Sequence, residues 1–333
     1  ISGLIGIWLA WLGYGVWALV VQTLCTSFFY VILLWVSGSW IPKRVFSLQS
    51  FNELFSFGSK LLLGGLLHTI YMNLYTLVIG RFFNSMQVGY FSRAQTLAVF
   101  PSMNFTEVVN RAMYPVLCEQ QDSEEKLVDI FLKYLRITVF CVFPLMIGLA
   151  ILSEPLIKVL LTDKWIPCVP YLRIYCLIFA FQPIHTANLN AIKAVGRSDI
   201  FLKLEIIKKI IGLASIILTM RYGVMAMALG LLVITPLNAL INAFPNRKIL
   251  NYSIKEQIKD LMPYILMAGA MGALVWPIQY LQISRILVIV AQIAAGIVVY
   301  VGCSVIFRVD VFYDLFGILT GFLRKGSKNG AAE

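Results

Sequence analysis

Residues 223–244, GVMAMALGLLVITPLNALINAF, run for 22 positions without a charged side chain and are bounded by Arg221 on one side and by Arg247 and Lys248 on the other. A helix of that length is about 33 Å long, which matches the roughly 30 Å hydrocarbon core of a bilayer. The rest of the chain repeats the theme. Of its 333 residues 60% are hydrophobic and 13% charged, with a mean hydropathy of +0.84. Soluble domains hold about 45–50% apolar and about 25% charged residues. Enclosing this much apolar surface in water would need a core larger than the chain can build, so the pattern predicts an all-α polytopic membrane protein.

Working outward at roughly 20 apolar residues per span, a partial span is expected at 1–12 and full spans near 15–36, 58–83, 88–113, 131–152, 168–192, 201–220, 223–244, 258–279 and 283–307. That makes nine complete helices and a fragment. The net charge is +11, yet the charges lie between apolar runs and at their ends, not in the basic stripe that nucleic acid would require. If the segment 37–57 is cytoplasmic, 19 of the 27 Lys and Arg fall on that side. They lie in 37–57, 114–130, 193–200, 245–257, the C-terminus and the abutting helix ends, where Lys193, Lys203, Lys208 and Lys209 are counted. Seven lie on the other side, and Arg111 is left inside a span. The positive-inside rule then places the C-terminus in the cytoplasm. The turns on the far side, FNSMQ, RYG and YLQIS, leave no room for a domain there, and 153–170 reads as a helix end plus a re-entrant or interfacial turn.

Six cysteines, Cys25, Cys118, Cys141, Cys168, Cys176 and Cys303, form no C-x-x-C pair, and only two histidines accompany them. Neither a zinc site nor a disulfide framework is expected, and no cofactor. Ile1 opens directly into ISGLIGIWLAWL, which lacks the charged n-region and the cleavage site of a signal peptide. The chain reads as an N-terminally truncated piece. Two stretches are amphipathic at helical spacing and suited to the membrane interface. The first carries Phe46, Phe51, Leu54 and Phe55; the second carries Phe312, Leu315, Phe316, Leu319 and Leu323 and ends on Arg324 and Lys325. The tail 326–333 is expected to be disordered.

Four blocks carry a family likeness: FSFGSKLLLGGLLHTIYMNLYTLVIGRFF (55–83), GYFSRAQTLAVFPS (89–102), PLMIGLAILSEPLIKVLLTDKWIPCVPYLRIYC (144–176) and GRSDIFLKLEIIKKIIG (196–212). Together they resemble Wzx-type lipopolysaccharide and polysaccharide biosynthesis flippases of the MOP exporter superfamily, which also contains the MATE drug exporters. The resemblance implies a MATE-like bundle of two six-helix lobes around a cavity, with two extra helices. It also implies transfer of an undecaprenyl-pyrophosphate-linked oligosaccharide (an O-antigen, capsule or exopolysaccharide unit) across the bacterial cytoplasmic membrane. On that pattern most of the first lobe is missing. Residues 1–36 would be its remnant, 37–57 the inter-lobe linker, 58–244 the second lobe, 245–307 the additional helices and 308–333 a cytoplasmic amphipathic tail. One lobe cannot rock against another alone, so the function is expected of the full-length parent. Its partners would be the lipid-linked oligosaccharide, membrane lipids, a polysaccharide polymerase and a chain-length regulator, with no nucleic acid.

Against this background PSMNFTEVVNRAMYP (101–115) is the anomaly, since charge inside a bilayer is costly and marks functional sites. At about 100° per residue, Arg93, Asn104, Glu107 and Arg111 share a helix face, opposite Val99, Val108 and Ala112, with Asn110 off the polar side. Glu107 and Arg111, acid first at i and i+4, can simply neutralise each other. Alternatively the face lines a cavity, where arginine's planar fork suits phosphate oxygens. Arg111 would then receive a pyrophosphate headgroup, Arg93 would release it, and Glu107 would orient Arg111. Glu107 is expected to be the only acid in mid-span.

The helix before it carries Lys60, His68, Tyr71, Tyr75 and Arg81. Lys60 and Arg81 can snorkel to the interfaces or face the substrate. His68 is either a neutral, hydrogen-bonded imidazole or a proton carrier. Gln182, His185 and Asn188 in the span 168–192 are either glue between helices or contacts to sugar hydroxyls. Gly196, Arg197 and Asp199 should form a turn. No nucleophile, base or nucleotide loop accompanies it, so the chain is not expected to be an enzyme. A cation-coupled drug exporter, a membrane-embedded polysaccharide polymerase or other glycosyltransferase, and a non-functional remnant of a flippase gene are the competing readings.

Overall fold

The computed structural model of the chain describes residues 2–38, 46–121, 123–281 and 284–317, and the regular structure among them is entirely helical. The chain divides into two compact units, 1–53 and 54–333. In the first, α1 (Ser2–Trp11) and α2 (Val16–Ser37) form a helical hairpin. Its turn needs Gly13 and Gly15, which take φ of 84° and 50°, a region glycine enters without steric cost. α3 (Leu48–Phe82) begins in the first unit and continues into the second.

The second unit adds α4 (Ser85–Glu119), α5 (Glu124–Leu160), α6 (Val169–Ala180), α7 (Gln182–Ala194), α8 (Ser198–Thr219), α9 (Val224–Ala243), the single turn α10 (Asn246–Ile249), α11 (Ile254–Val275) and α12 (Arg285–Ile306). Its centre is α5, which packs against α4, α6, α7, α11 and α12. Leu127, Phe131, Tyr134, Leu135, Val139, Val142, Phe143 and Met146 recur at helical spacing along α5, and each is nearly or fully buried. That stripe is what a helix needs to be surrounded by others. Outward positions stay apolar as well: Leu213, Ile217, Val233, Leu266, Val290 and Val298 are all exposed. An apolar exterior around a packed interior is the pattern of a bundle solvated by lipid.

Among the described residues seven segments are long and apolar enough to cross a membrane: 17–37, 48–82, 125–160, 163–194, 224–249, 254–280 and 285–306. The two other expected full spans, 88–113 and 201–220, are present as α4 and α8, but their polar side chains hold them below that threshold. The protein is a multi-pass membrane protein.

One local departure from expectation has a clear cause. The span 168–192 breaks into α6 and α7 at Phe181, because Pro183 in the first turn of α7 lacks the N–H a continuous helix would use there. α5 ends at Leu160 and a 3-10 turn follows at Asp163–Cys168, the helix end and turn expected over 153–170. Residues 310–317 are helical, and Phe312 and Leu315 pack on the core while Phe316 stays exposed. Phe46, Phe51, Leu54 and Phe55 are all exposed. Leu319, Leu323, Arg324, Lys325 and the tail lie outside the described residues.

Within the second unit the helices end at two levels. The 3-10 turns Asp163–Cys168, Met220–Tyr222 and Trp276–Tyr280 lie at one end of the bundle, with the turn joining α3 to α4. The connections α4–α5, α7–α8 and α9–α11 lie at the other. The start of α11 there is closed by a capping box, in which Ser253 accepts from the Glu256 N–H and Glu256 from that of Ser253.

Candidate functional site

α3 and α8 approach closely because glycine stands at both contacts. A Cβ on Gly64 would overlap the ring of Phe201, and one on Gly212 the ring of Tyr71. Below this seam α3, α6, α7, α8 and α9, with Met103 of α4, enclose a cavity of about 320 Å³. Three of the expected site residues line it: His68 from α3, and Gln182 and His185 from α7.

The centre of the cavity is a cluster that the sequence reading missed. Glu205, Lys208 and Lys209 sit at i, i+3 and i+4 on α8, so all three point the same way. Their side chains are only 5%, 9% and 13% exposed. Glu205 Oε1 accepts from Lys208 Nζ, and Oε2 lies 3.3 Å from Lys209 Nζ. Lys209 also reaches His68 Nδ1 at 3.2 Å and lies over the Tyr71 ring at 4.7 Å. With the ammonium as donor, His68 accepts through Nδ1 and carries its proton on Nε2. Lys193 adds a further cation, lying over the Phe201 ring at 4.7 Å.

Glu205 therefore corrects the expectation that Glu107 is the only acid in mid-span. Lys208 and Lys209, counted as charges that set topology, are buried components of the cavity. Three ammonium groups against one carboxylate leave an excess of two positive charges when the imidazoles are neutral. Around them stand groups that bond to hydroxyls: Gln182 Nε2 donates to Thr186 Oγ1 at 3.2 Å, and Asn242 Nδ2 meets His185 Nδ1 at 3.1 Å. The buried oxygens Asn238 Oδ1 and Asn242 Oδ1 have no partner among the described residues, so both can still accept a hydrogen bond. The arrangement is suited to an anion with polar, hydroxyl-bearing neighbours. Among the described residues no group of His, Cys, Asp and Glu is assembled for a metal.

The second expected constellation lies on α4, beginning one residue from the cavity lining at Met103. Arg93, Asn104, Glu107 and Arg111 are all exposed on the unit, and so are Val108 and Ala112. Arg111 Nε donates to Glu107 Oε1 at 3.1 Å, with side chains 79% and 51% exposed. Among the described residues the guanidinium is engaged only through Nε, which leaves its terminal N–H fork open. Asn110, expected to lie off this face, donates to Glu107 Oε2 at 3.3 Å and accepts from Asn190 Nδ2 of α7. The correction is geometric, because i and i+3 side chains are neighbours on a helix. Arg93 lies 5.7 Å from the centre of the Trp165 ring, at the far end of α4. Arg81 is exposed at the end of α3, and Lys60 is half-buried.

Asn188 is in neither place. It is fully buried and is the hub of an amide clasp: Asn246 Nδ2 donates to its Oδ1 at 2.7 Å, Gln257 Nε2 to the same oxygen at 3.3 Å, and its own Nδ2 to Ile184 O at 2.8 Å. That clasp ties α7 to α10 and α11. Gly196, at φ 75°, makes the turn into α8, where Arg197 grips Asp199 at 2.9 and 3.0 Å.

The chain is similar to two curated proteins over most of its length. It is 22% identical over 276 residues to the teichuronic acid biosynthesis protein TuaB of Bacillus subtilis (strain 168), covering 81% of this chain and 57% of the relative. It is 26% identical over 228 residues to the lipopolysaccharide biosynthesis protein WzxC of Escherichia coli (strain K12), covering 68% and 46%. The chain thus spans about half the length of the curated relatives it matches. Its fold matches a solved structure of the lipid II flippase MurJ in an inward closed conformation, with a TM-score of 0.69 at 20% identity over 94% of this chain and 67% of that one. Residues 1–170 match the family described as polysaccharide biosynthesis protein, and the chain belongs to that family.

Proposed function

We propose that this chain supplies one lobe of a flippase that carries an undecaprenyl-pyrophosphate-linked oligosaccharide across the bacterial cytoplasmic membrane by alternating access. In this reading the α4–α5, α7–α8 and α9–α11 connections and the C-terminus face the cytoplasm. The observation that carries it is the charge of the α8 cavity. An excess of two positive charges, buried among amides and imidazoles, complements a headgroup of about two negative charges that bears sugar hydroxyls. Uncompensated charge within a membrane is expensive, and such a site is stabilised when a matching anion enters. Arg111 is the first contact: Glu107, itself held by Asn110, accepts from its Nε, and its open fork meets the phosphate oxygens in a bidentate geometry. Gln182, His185 and Asn242 then take sugar hydroxyls, and Arg93 lies at the release end.

Leaflet location of the lipid-linked oligosaccharide tests the reading. Cells expressing Arg111→Ala in place of the intact protein should accumulate it on the cytoplasmic side, with membrane insertion unchanged. Normal leaflet distribution in that variant would remove Arg111 from the path. Normal distribution in cells lacking the gene altogether would remove the flippase reading.

A further inference from the structure

At the end of the bundle opposite the α4–α5 and α7–α8 connections, a second polar pocket of about 360 Å³ lies between the last turns of α5, the start of α6, the 3-10 turn Trp276–Tyr280 and the start of α12. Lys158, Arg173 and Arg285 line it. Lys158 Nζ donates to Glu154 Oε1 at 2.6 Å. Arg173 lies 3.8 Å from Glu154 Oε2, donates to Ser153 Oγ at 3.1 Å and stacks on Trp276 at 4.9 Å. Arg285 lies 3.6 Å from Asp163, which stands outside the lining. The lining holds three cations and one carboxylate, and the pairing of Arg285 with Asp163 leaves one positive charge unpaired.

Directly beneath, α5 and α12 continue and, with α11 and Pro101 of α4, line an apolar cavity of about 530 Å³. The two are stacked turn upon turn. Glu154 and Pro155 line the upper one and Ile151 and Leu152 the lower; Trp276 and Val288 the upper, Val275 and Gln292 the lower. Among the apolar walls of the lower cavity Gln292 is 2% exposed, and neither its Nε2 nor its Oε1 has a partner among the described residues. A buried primary amide left unpaired in an apolar wall is costly. The Cα–Cβ bond of a helical residue tilts toward the helix N-terminus, which for Gln292 is the side of the cationic pocket.

We infer that this stack is a binding site for an anionic diacyl glycerophospholipid of the adjoining leaflet. The phosphodiester matches the single excess charge on Arg173, Lys158 and Arg285. The glycerol backbone lies along Trp276, an ester carbonyl accepts from Gln292 Nε2, and an acyl chain fills the apolar cavity. The charge separates this ligand from a pyrophosphate, and the carbonyl separates it from a polyprenyl phosphate, whose chain has no acceptor for the amide. The site does not depend on the translocation proposed above, and its test does not read transport.

Titration of the purified protein in detergent, followed by native mass spectrometry, decides it. Ester-linked phosphatidylglycerol should bind about tenfold more tightly than phosphatidylcholine with the same chains, because both carry the phosphodiester but the choline cation is repelled by the cationic lining. Arg285→Gln should erase that preference. Ester-linked phosphatidylglycerol should also bind several-fold more tightly than its ether-linked analogue, and Gln292→Leu should abolish this second preference. That substitution replaces an unpaired amide with an apolar side chain of similar size, so the fold tolerates it. Equal binding of ester and ether lipids to the unaltered protein would overturn the proposal. So would equal binding of phosphatidylcholine, stronger binding of a polyprenyl phosphate, or displacement of the lipid by inorganic phosphate.

Discussion

Replacing Glu205 with glutamine removes the one carboxylate that balances Lys208 and Lys209 while keeping its shape and one acceptor oxygen. Removing one partner of a buried ion pair costs about 3–5 kcal/mol. The lower end applies here, because Lys209 keeps His68 Nδ1 at 3.2 Å and the Tyr71 face at 4.7 Å. Lys208, at 9% exposure, has no comparable fallback and carries most of the penalty. Glu205→Gln should therefore destabilise by about 3 kcal/mol, roughly a hundredfold in the folding equilibrium. Lys208→Met alone leaves one acid facing one ammonium and should cost less, about 1 kcal/mol. The double variant restores the charge excess of two and should sit near Lys208→Met, giving a coupling of about 3 kcal/mol. Reversible unfolding of the purified protein in mixed micelles with increasing SDS, followed by helical circular dichroism, reads all three differences. If Glu205→Gln costs under about 1 kcal/mol, or the two substitutions add without coupling, the cluster is solvated and the cavity's positive excess is not a buried one.

Asn188→Leu strands the donors of Asn246 and Gln257 and should cost about 2–4 kcal/mol in the same unfolding assay; Asn246→Leu added to it should recover part of the loss. Gly212→Ala drives a methyl into the Tyr71 ring, an overpacking of about 1–3 kcal/mol, and Tyr71→Leu on that background should relieve it. At the start of α8, Arg197 at the N-cap holds the Asp199 carboxyl of the first turn down to about 2. A folded-state value below the unfolded one means the contact stabilises above the usual carboxylate range and fades as pH falls through about 2. An NMR titration of the Asp199 carboxyl carbon should show that midpoint, and Arg197→Gln should return it toward about 3.9.

The bundle was legible because lipid imposes one rule on every span: backbone hydrogen bonds must close within the helix, and the outward side chains must be apolar. Long charge-free runs such as 223–244 therefore announce themselves. Interruptions are harder to read. Pro183 marks a break between α6 and α7, whereas Pro101, Pro144, Pro236 and Pro263 stand inside continuous helices. Neighbouring helices within a membrane can support a proline that would end a helix in water. Only the packing around each distinguishes the two outcomes.

The α4 face and the α8 cluster differ in the same way. Glu107 and Arg111 stand out because apolar sequence surrounds them, yet they are the more exposed pair. Glu205, Lys208 and Lys209 follow a basic turn and blend into it, so a count of charges by loop assigns the lysines to the cytoplasm. Their spacing held the missing signal. Charges that merely flank a span have no reason to share a helix face, whereas an acid with lysines at i+3 and i+4 forms a self-neutralising patch that a helix can bury. Gly212, one turn beyond Lys208, is the complementary sign, since a glycine there lets α3 close over the patch and bring His68 to Lys209. A charged triad on one face, with a glycine on the same stripe, is the local pattern by which an apolar helix admits a polar cavity.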